Sequence, residues 1–421
     1  MRTMNRPWIK EKSEILAGKL ALFFVWPFGA WLYCLKKPIY KSSYIIFFLF
    51  SLLLCWHMAP TGINQRYDDF LGILEVFNST KLSTDQFLSE VYAFCTFSEG
   101  APKELYQDFL TWFTKLFTDN YHFMFLLAAI PVAYFQLKCL KLITCDKLFV
   151  PNFYGILAVV MMILPRDIIT VQNPRFATGL WMYVFCSLYC FTKNKNNYKY
   201  LLPLIFLPTV HSGMWPALIM VLLYLIVPQN RKILKIFAIL SIPFIFVDPN
   251  LMSLLNFDFL PSNLGAWVEL YTSDDAYSKF ILNEERAGFW WIDAFFQVGL
   301  KIVYILLSLQ IIKCDFKDID SIEAKNFYNY FLFSFIIINM IQFIPVVGER
   351  YFNIWRLFVF YVWYKIFHLS QKPQYFMLLM FSTWPIFQRY GYVAGGALSV
   401  NTPPDIFFTP LPYLMMKGLL W

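Results

Sequence analysis

The chain has 421 residues, of which 59% are hydrophobic, 21% aromatic and only 15% charged, with a net charge of +8. Soluble domains carry about a quarter charged residues and fewer aromatic ones, so this composition excludes an ordinary soluble enzyme. Apolar runs long enough to cross about 30 Å of hydrocarbon recur from end to end. We therefore predict an all-α, polytopic membrane protein with about 10–11 membrane segments.

The predicted membrane segments are, in chain order, 17–35, 44–60, 121–138, 149–165, 176–192, 200–227, 233–248, 288–312, 328–345, 351–367 and 374–388. Lysine and arginine cluster in one set of connections and acids in the other, which places the basic set in the cytoplasm. Two long loops, 61–120 and 249–287, then face outward. We predict a basic cytoplasmic N-terminus, 1–43, with an interfacial or re-entrant helix, followed by a single membrane domain, 44–421.

The predicted segment 200–227 has basic residues on both flanks and is too short for two full crossings at 1.5 Å per residue. It is best interpreted as a broken re-entrant hairpin that enters and leaves by the cytoplasmic face. Pro208 is expected to end the first limb, and Ser212 to cap the second. Irregular backbone at membrane depth persists only where it is buried in protein or lines a cavity, so His211 is expected in a cavity.

Arginines near the outer ends of predicted helices suggest an anion site. Asn173 and Pro174 have the residue types of a helix N-cap and first position, so Arg175 should lie in the first turn. A cation there opposes the helix dipole, which makes sense if an anion binds at the same place. Arg350 occupies a similar outward turn, and Arg166 is a third candidate. Arginines that extend to lipid headgroups are the alternative interpretation.

Three acids and one histidine are further candidates. Asp68 and Asp69 are adjacent carboxylates that suit a metal or an acceptor sugar, although solvated loop acids look the same. Glu349 is either an ion partner of Arg350 or an acid that binds the acceptor. His211 can take a proton from a hydroxyl or hold a phosphate oxygen, whereas a buried histidine bonded to a backbone carbonyl is the structural alternative.

Several short motifs together resemble one family. They are, in order, "YDDF", "KELYQDFLTWFTKLFTDNYHFMFLLAAI", "NPRFATGLWMYVFCSLYCF", "LPTVHSG" and "GERYFNIWRLFVFYVW". From about residue 44 onward the chain is similar to the EpsG family, the Wzy-like membrane polymerases of bacterial exopolysaccharide and O-antigen. That family usually has an acid–proline pair where this chain reads Lys103-Glu104-Leu105, and we assign Glu104 no role from the sequence.

The resemblance implies a GT-C-like glycosyltransferase that spans the bacterial cytoplasmic membrane several times, with its site facing the exterior. The donor would be a glycan on undecaprenyl pyrophosphate, and the acceptor another lipid-linked repeat unit. Arg175 and Arg350 would hold the pyrophosphate, and His211 would orient or deprotonate the acceptor hydroxyl. These three are the expected catalytic residues.

Other residues are expected to bind substrate: Asp68, Asp69, Arg166, Ser212 and Glu349. No metal or other cofactor is expected, because arginines can neutralise the leaving group. Expected partners are the lipid-linked glycans, the bilayer, and a chain-length regulator and flippase.

Three alternatives remain open from the sequence. The first is a metal-dependent GT-C glycosyltransferase that uses a polyprenyl-phosphate sugar, with Asp68 and Asp69 as metal ligands. The second is a transporter or flippase of lipid-linked sugars, which should show internal repeats that the sequence does not display. The third is a membrane O-acyltransferase with His211 as its base.

Overall fold

The structure is a computed structural model of the chain. It describes residues 12–58, 69–79, 83–96, 98, 101–146, 149–163, 173–193, 198–247, 290–342, 344, 347–367 and 404–420. The regular secondary structure of these residues is helical, and they contain no β-strand, which confirms the all-α prediction. The loop 249–287 and the predicted segment 374–388 lie outside the described residues.

The α-helices of the described residues are, in chain order, α1 (Ser13–Val25), α2 (Pro27–Leu35), α3 (Lys41–Trp56), α4 (Asp69–Ser79), α5 (Thr84–Thr96), α6 (Tyr106–Lys115), α7 (Tyr121–Thr144), α8 (Phe153–Ile163), α9 (Pro174–Lys193), α10 (Leu207–Val210), α11 (Trp215–Ile226), α12 (Arg231–Leu240), α13 (Trp290–Lys313), α14 (Ile322–Met340), α15 (Val347–Phe367) and α16 (Leu411–Leu420). The predicted apolar segments within the described range overlap these helices. The largest difference from the predicted segments lies before α11, where 3₁₀ turns occupy Tyr198–Tyr200, Leu202–Phe206 and Ser212–Met214.

The chain forms two compact units. The first consists of Met1–Phe185, Phe206–Met214 and Ile386–Trp421. The second consists of Cys186–Ile205 and Trp215–Pro385.

The first unit is built around α3, which packs along α7 and against α2. Lys19 of α1 is buried here, and its Nζ donates hydrogen bonds to Ser42 Oγ at 2.7 Å and Ser43 Oγ at 3.1 Å. These acceptors satisfy an ammonium group that would otherwise be costly to bury. The N-terminus of α7 is capped by Asn120, whose Oδ1 accepts a hydrogen bond from the backbone N–H of His122 at 2.9 Å.

One described helix, α7, is long and apolar enough to cross a bilayer by its length and composition. It has 24 residues, which at 1.5 Å per residue is about 36 Å and exceeds the hydrocarbon thickness.

In the second unit, α14 packs against α12 and α15, and α15 also packs against α13. Lys365 donates from Nζ to Glu323 Oε2 at 2.5 Å, and both residues are buried. Glu323 lies in the first turn of α14 and Lys365 in the last turn of α15, so each charge is placed favourably for the dipole of its own helix. A buried ion pair therefore joins two helix ends.

Candidate functional site

The N-terminus of α9 brings a cation into the first unit. Asn173 Oδ1 accepts a hydrogen bond from the backbone N–H of Phe176 at 3.2 Å, and Pro174 is the first helical residue. The predicted cap is thus confirmed, and Arg175 lies in the first turn of α9. Its side chain is 30% exposed. The cap fixes the first residue of α9 and hence the direction in which the Arg175 side chain extends from the helix.

The helical backbone between α10 and α11 is interrupted at a different residue from the one predicted. Pro208 lies inside the first turn of α10, and the break comes at His211, whose backbone is extended with φ −156° and ψ 125°. The expectation that Pro208 ends a helical limb is therefore wrong, because proline is tolerated where no intrahelical donor is needed. Ser212 is not the cap of α11 either, since that helix begins only at Trp215.

The Glu104 carboxylate, just before α6, connects these two elements. Its Oε1 accepts a hydrogen bond from Arg175 Nη1, forming an ion pair. Its Oε2 accepts from the backbone N–H of Ser212 at 3.1 Å and lies 3.9 Å from His211 Nδ1. One carboxylate thus brings together Arg175 and the His211–Ser212 turn, which the sequence predicted as separate site residues.

Two further contacts hold this arrangement in place. The backbone N–H of Leu105 donates to the carbonyl of Thr209 at 2.9 Å, next to the side-chain contacts of Glu104. Thr178 Oγ1, one turn along α9 from Arg175, donates to the Tyr106 hydroxyl at 3.2 Å. Burial raises the pKa of Tyr106 to about 12, against the smaller opposing effect of that hydrogen bond, so Tyr106 stays neutral. The start of α6 is therefore fixed at both α9 and α10.

The hydrogen bond of His211 defines its tautomer. Its side chain is buried, and Nδ1 accepts from the backbone N–H of Gly213 at 2.8 Å. A neutral imidazole that accepts at Nδ1 carries its proton on Nε2, and the second nitrogen is then a donor. The ring also makes an edge contact with Phe176 of α9, with centroids 5.6 Å apart. In this tautomer the second ring nitrogen of His211, Nε2, carries a hydrogen-bond donor rather than a lone pair.

A second acid lies one turn along α6. Asp108 has its pKa raised from 3.8 to about 6, first by burial and then by the negative charges of Glu90 and Glu104, while Arg175 lowers it. Asp108 therefore carries a proton over part of the mildly acidic range. A glutamate and an aspartate at i and i+4 near one arginine form an acidic cluster whose total charge depends on pH.

The structure describes the other predicted site residues only in part. Arg350 lies in α15 of the second unit, half-buried. Glu349 lies in α15 and Asp69 opens α4, but the side chains of both lie outside the described residues, as do Asp68 and Arg166 entirely. The proposed roles of these residues stay predictions.

The described residues contain no group of three or more histidine, cysteine, aspartate or glutamate side chains placed to hold a metal ion. The cluster around Glu104 contributes a carboxylate and an imidazole whose nearer nitrogen is already bonded. Its chemistry is that of hydrogen-bond donors and the Glu104 carboxylate around a cation, with the carboxyl group of Asp108 nearby.

Comparison with protein families gives one match. The sequence model of the EpsG family matches residues 81–399, a span that contains Glu104, Arg175, His211 and Arg350. The chain belongs to the EpsG family. The family's members are membrane proteins linked to polysaccharide biosynthesis and associated with glycosyltransferase-like polymerases. Asp68 and Asp69 precede the part that matches the EpsG family.

Comparison with curated proteins gave no match, and comparison with solved structures gave none either.

Glu104 is the site residue that sequence reasoning missed. Its contacts lie 71 and 108 residues away along the chain, so no local pattern reveals them. The one available signal was its place in the EpsG resemblance, where family members usually carry an acid before proline. Leu105 replaces that proline here, yet the acid still contacts the expected arginine.

Proposed function

We propose that this EpsG family member is a membrane glycosyltransferase that polymerises oligosaccharide repeat units carried on undecaprenyl pyrophosphate. The observation that carries the proposal is the joint contact of Glu104 with Arg175 and with the His211–Ser212 turn. A cation, a carboxylate and an imidazole N–H within one cluster match the needs of glycosyl transfer from a diphosphate leaving group. Family membership supplies the class of reaction, and the cluster supplies the residues.

Arg175 is proposed to bind the diphosphate. A guanidinium has five N–H donors, and Glu104 takes a hydrogen bond from only one of its nitrogens. Nε is buried, but the side chain as a whole is 30% exposed, so donors at the exposed end of the guanidinium can reach a ligand. The positive end of the α9 dipole lies at the same place and favours an anion there. Charge that develops on the departing diphosphate would be stabilised by donors already in position.

The reaction is a substitution at the anomeric carbon of the donor glycan. The acceptor hydroxyl oxygen forms the new glycosidic bond, while the bond from the anomeric carbon to the diphosphate oxygen breaks and its electron pair leaves with undecaprenyl pyrophosphate. The hydroxyl proton passes to the Glu104 carboxylate, whose oxygens have lone pairs beyond those used by Arg175 and Ser212. His211 donates from Nε2 to a substrate oxygen, because its Nδ1 is already an acceptor.

We also propose a multi-pass location in the bacterial cytoplasmic membrane, with the Glu104 cluster toward the exterior. Large apolar side chains of α12 are exposed in the structure, among them Ile236, Phe237 and Leu240. Contiguous exposed apolar surface of this kind suits contact with lipid. Basic residues at the start of α12 support a cytoplasmic location for that end by the positive-inside rule. Labelling of single cysteines from either side of the membrane tests the topology.

The decisive experiment is complementation of a gene deletion, with surface glycan separated by length. We expect Glu104→Gln, Arg175→Lys and Arg350→Lys each to leave glycan of single repeat units, while the variant proteins accumulate normally in the membrane. Glu75→Gln is the matched control, since Glu75 is an exposed glutamate of α4. Full-length polymer from Glu104→Gln and Arg175→Lys would overturn the proposal.

His211 needs a separate test, because its two possible roles make different demands. His211→Ala is expected to lose polymer. His211→Gln keeps an N–H donor near the position of Nε2, so we expect it to restore part of the polymer length. If alanine and glutamine variants are equally inactive while histidine alone works, the donor role is wrong and a proton-accepting role is favoured.

The same assay separates the competing functions. A metal-dependent enzyme built on Asp68 and Asp69 predicts that membranes lose polymerisation in EDTA, whereas we expect activity to persist. Loss of a transporter or flippase would leave no repeat units at the surface, whereas loss of a polymerase leaves single units there.

A further inference from the structure

The two sides of α6 have the reverse of the polarity expected for a helix exposed to water. Three of its four buried residues are polar, namely Gln107, Thr111 and Thr114. From residue 106 to residue 117 every exposed residue is large and apolar: Phe109, Leu116 and Phe117. The most exposed of them is Phe117, at 76%. A surface helix of a soluble protein buries its apolar side and exposes its polar side, so the exposed side of α6 suits an apolar environment.

The exposed rings form a continuous series along α6 and the turn that follows it. Phe109 stacks on Phe113 with ring centroids 5.8 Å apart, and Phe113 makes an edge contact with Phe117 at 5.3 Å. These residues are four positions apart, so they lie on one side of the helix, and Leu116 follows Phe113 by three. We call Phe109, Phe113, Leu116 and Phe117 the aromatic ridge. It is a contiguous apolar surface rather than a set of scattered exposed residues.

Contacts with α7 show where α6 lies relative to the bilayer. Gln107 Nε2 donates to Met124 Sδ at 3.5 Å, and Thr111 Oγ1 donates to the same sulfur at 3.8 Å. Met124 lies in the first turn of α7, about 4.5 Å along the axis from Tyr121 at 1.5 Å per residue. Because α7 is the described helix that can cross a bilayer, the buried side of α6 packs against a segment at the membrane boundary.

The aromatic ridge lies on the other side of α6 from these contacts. Phe109 is two residues from Gln107 and two from Thr111, which is about 160° around the helix from each of them. At the end of the ridge, Leu116 and Phe117 belong to the five-residue connection, 116–120, that leads into α7. The ridge is therefore exposed, faces away from α7 and is joined to the end of that helix by a few residues.

We propose that α6 is an interfacial helix whose aromatic ridge inserts into the lipid beside the first turn of α7. Phenylalanine and leucine on one side of an amphipathic helix are typical of helices that lie in the membrane interface. Lipid is favoured over a glycan, because the ridge side chains are hydrocarbon and offer no hydrogen bond to sugar hydroxyls. It is favoured over a second copy of the chain, because the ridge continues into a helix that can cross the bilayer.

The proposal does not depend on the polymerase activity, but it has a consequence for the Glu104 cluster. Asp108 lies in α6, and Glu104 lies two residues before its first residue. The insertion of the ridge would therefore fix the depth of both carboxyl groups, and of Arg175 bound to Glu104, relative to the lipid headgroups.

The test uses the full-length protein reconstituted in vesicles of phosphatidylethanolamine and phosphatidylglycerol. Cys95 and Cys314 are replaced by serine, since the other six cysteines are buried and do not react with a labelling reagent. A nitroxide label is attached in turn to Phe117→Cys, Phe109→Cys and the control Asp85→Cys, which replaces an exposed aspartate in the first turn of α5. Electron paramagnetic resonance then measures the collisions of each label with oxygen and with a water-soluble nickel chelate.

Oxygen concentrates in hydrocarbon and the nickel chelate stays in water, so the ratio of the two collision rates reports the surroundings of each label. We expect a several-fold higher ratio of oxygen to nickel collisions at Phe117 and Phe109 than at Asp85. Ratios at both ridge positions equal to that at Asp85 would show that the ridge faces water, and would overturn the proposal. Labels that neither reagent reaches would show that protein, such as a second copy of the chain, covers the ridge, and would overturn it as well.

Discussion

Arg175 and Arg356 are both arginines of long helices, but their surroundings differ in one respect. Arg175 is partly exposed and forms an ion pair with Glu104, whereas Arg356 is buried and, among the described residues, donates a hydrogen bond only to the neutral side chain of Asn353. In the first region, the protein supplies the counter-charge. In the second, nothing among the described side chains does so.

The difference shows how each arginine contributes to stability. Removing one member of a paired charge leaves the other uncompensated, which destabilises the fold. Removing a buried charge that has no counter-charge removes its desolvation cost, so the fold should not be destabilised. The two arginines should therefore respond in opposite directions to loss of charge.

The largest effect is expected in the second unit, at the ion pair of Lys365 and Glu323. Lys365→Met leaves a buried carboxylate without its cation, so we expect the free energy of unfolding to fall by about 3 kcal/mol. Thermal or denaturant unfolding in detergent measures it. The double variant Lys365→Met/Glu323→Leu should recover most of the loss, and a double variant as unstable as the single one would contradict this account.

Glu104→Leu is expected to have a somewhat smaller effect, because Arg175 retains contact with solvent. We expect a loss of about 2 kcal/mol, from the ion pair and from the unpaired N–H of Ser212. Unfolding of Glu104→Leu and of the control Glu75→Leu gives the comparison. Equal stability of the two variants would mean that Glu104 does not hold the cluster together.

Arg356→Met should act in the opposite direction. We expect the free energy of unfolding to stay unchanged or to rise by about 1 kcal/mol, since an uncompensated buried cation is replaced by an apolar side chain of similar length. Arg231→Met is the matched control and should lose stability through its contacts with Asn329 and Phe316. A large loss from Arg356→Met would show that Arg356 has an internal counter-charge.

The smallest expected effect is a pH-dependent change in the free energy of unfolding caused by Asp108. The pKa of Asp108 is raised from 3.8 to about 6, so the folded state holds its proton more tightly than the unfolded state does. Its contribution to stability is therefore largest below pH 3.8 and falls as pH rises to about 6. Asp108→Asn should be more stable than the wild type at pH 7.5, by about 1 kcal/mol after discounting for solvent screening, and equally stable at pH 4. Asp119→Asn, at an exposed aspartate, is the matched control.

Much of the fold follows from local sequence. The break at Trp26 between α1 and α2 lies just before Pro27, which can begin a helix but not continue one, and the cap at Asn173 places the start of α9. Both are decided by residues within one helical turn. The break at His211 was predicted one turn too early, because proline can end one helix or begin another, and only the packing of the turn against Glu104 decides between them.

The site is less predictable, because it depends on contacts between distant segments. Arg175 and His211 were found by their residue types and positions near helix ends. Glu104 was given no role, since its partners are far away in sequence and its usual proline neighbour is missing. Arg356 was not among the predicted site residues. That its Nε and Nη2 lack a partner among the described residues is a property of the folded state, and no sequence pattern encodes it.

The position of Leu105 has a consequence for how this chain tolerates changes in length. Its N–H is fixed to Thr209 on one side of the peptide while α6 begins immediately on the other. A single residue inserted after Leu105 would turn the whole of α6 by about 100°, moving Asp108 away from Arg175 and rotating the buried face of the helix by more than a quarter-turn. An insertion before Lys103 would be absorbed by the preceding connection. Relatives of this protein should therefore vary in length before the glutamate and keep an invariant spacing after it.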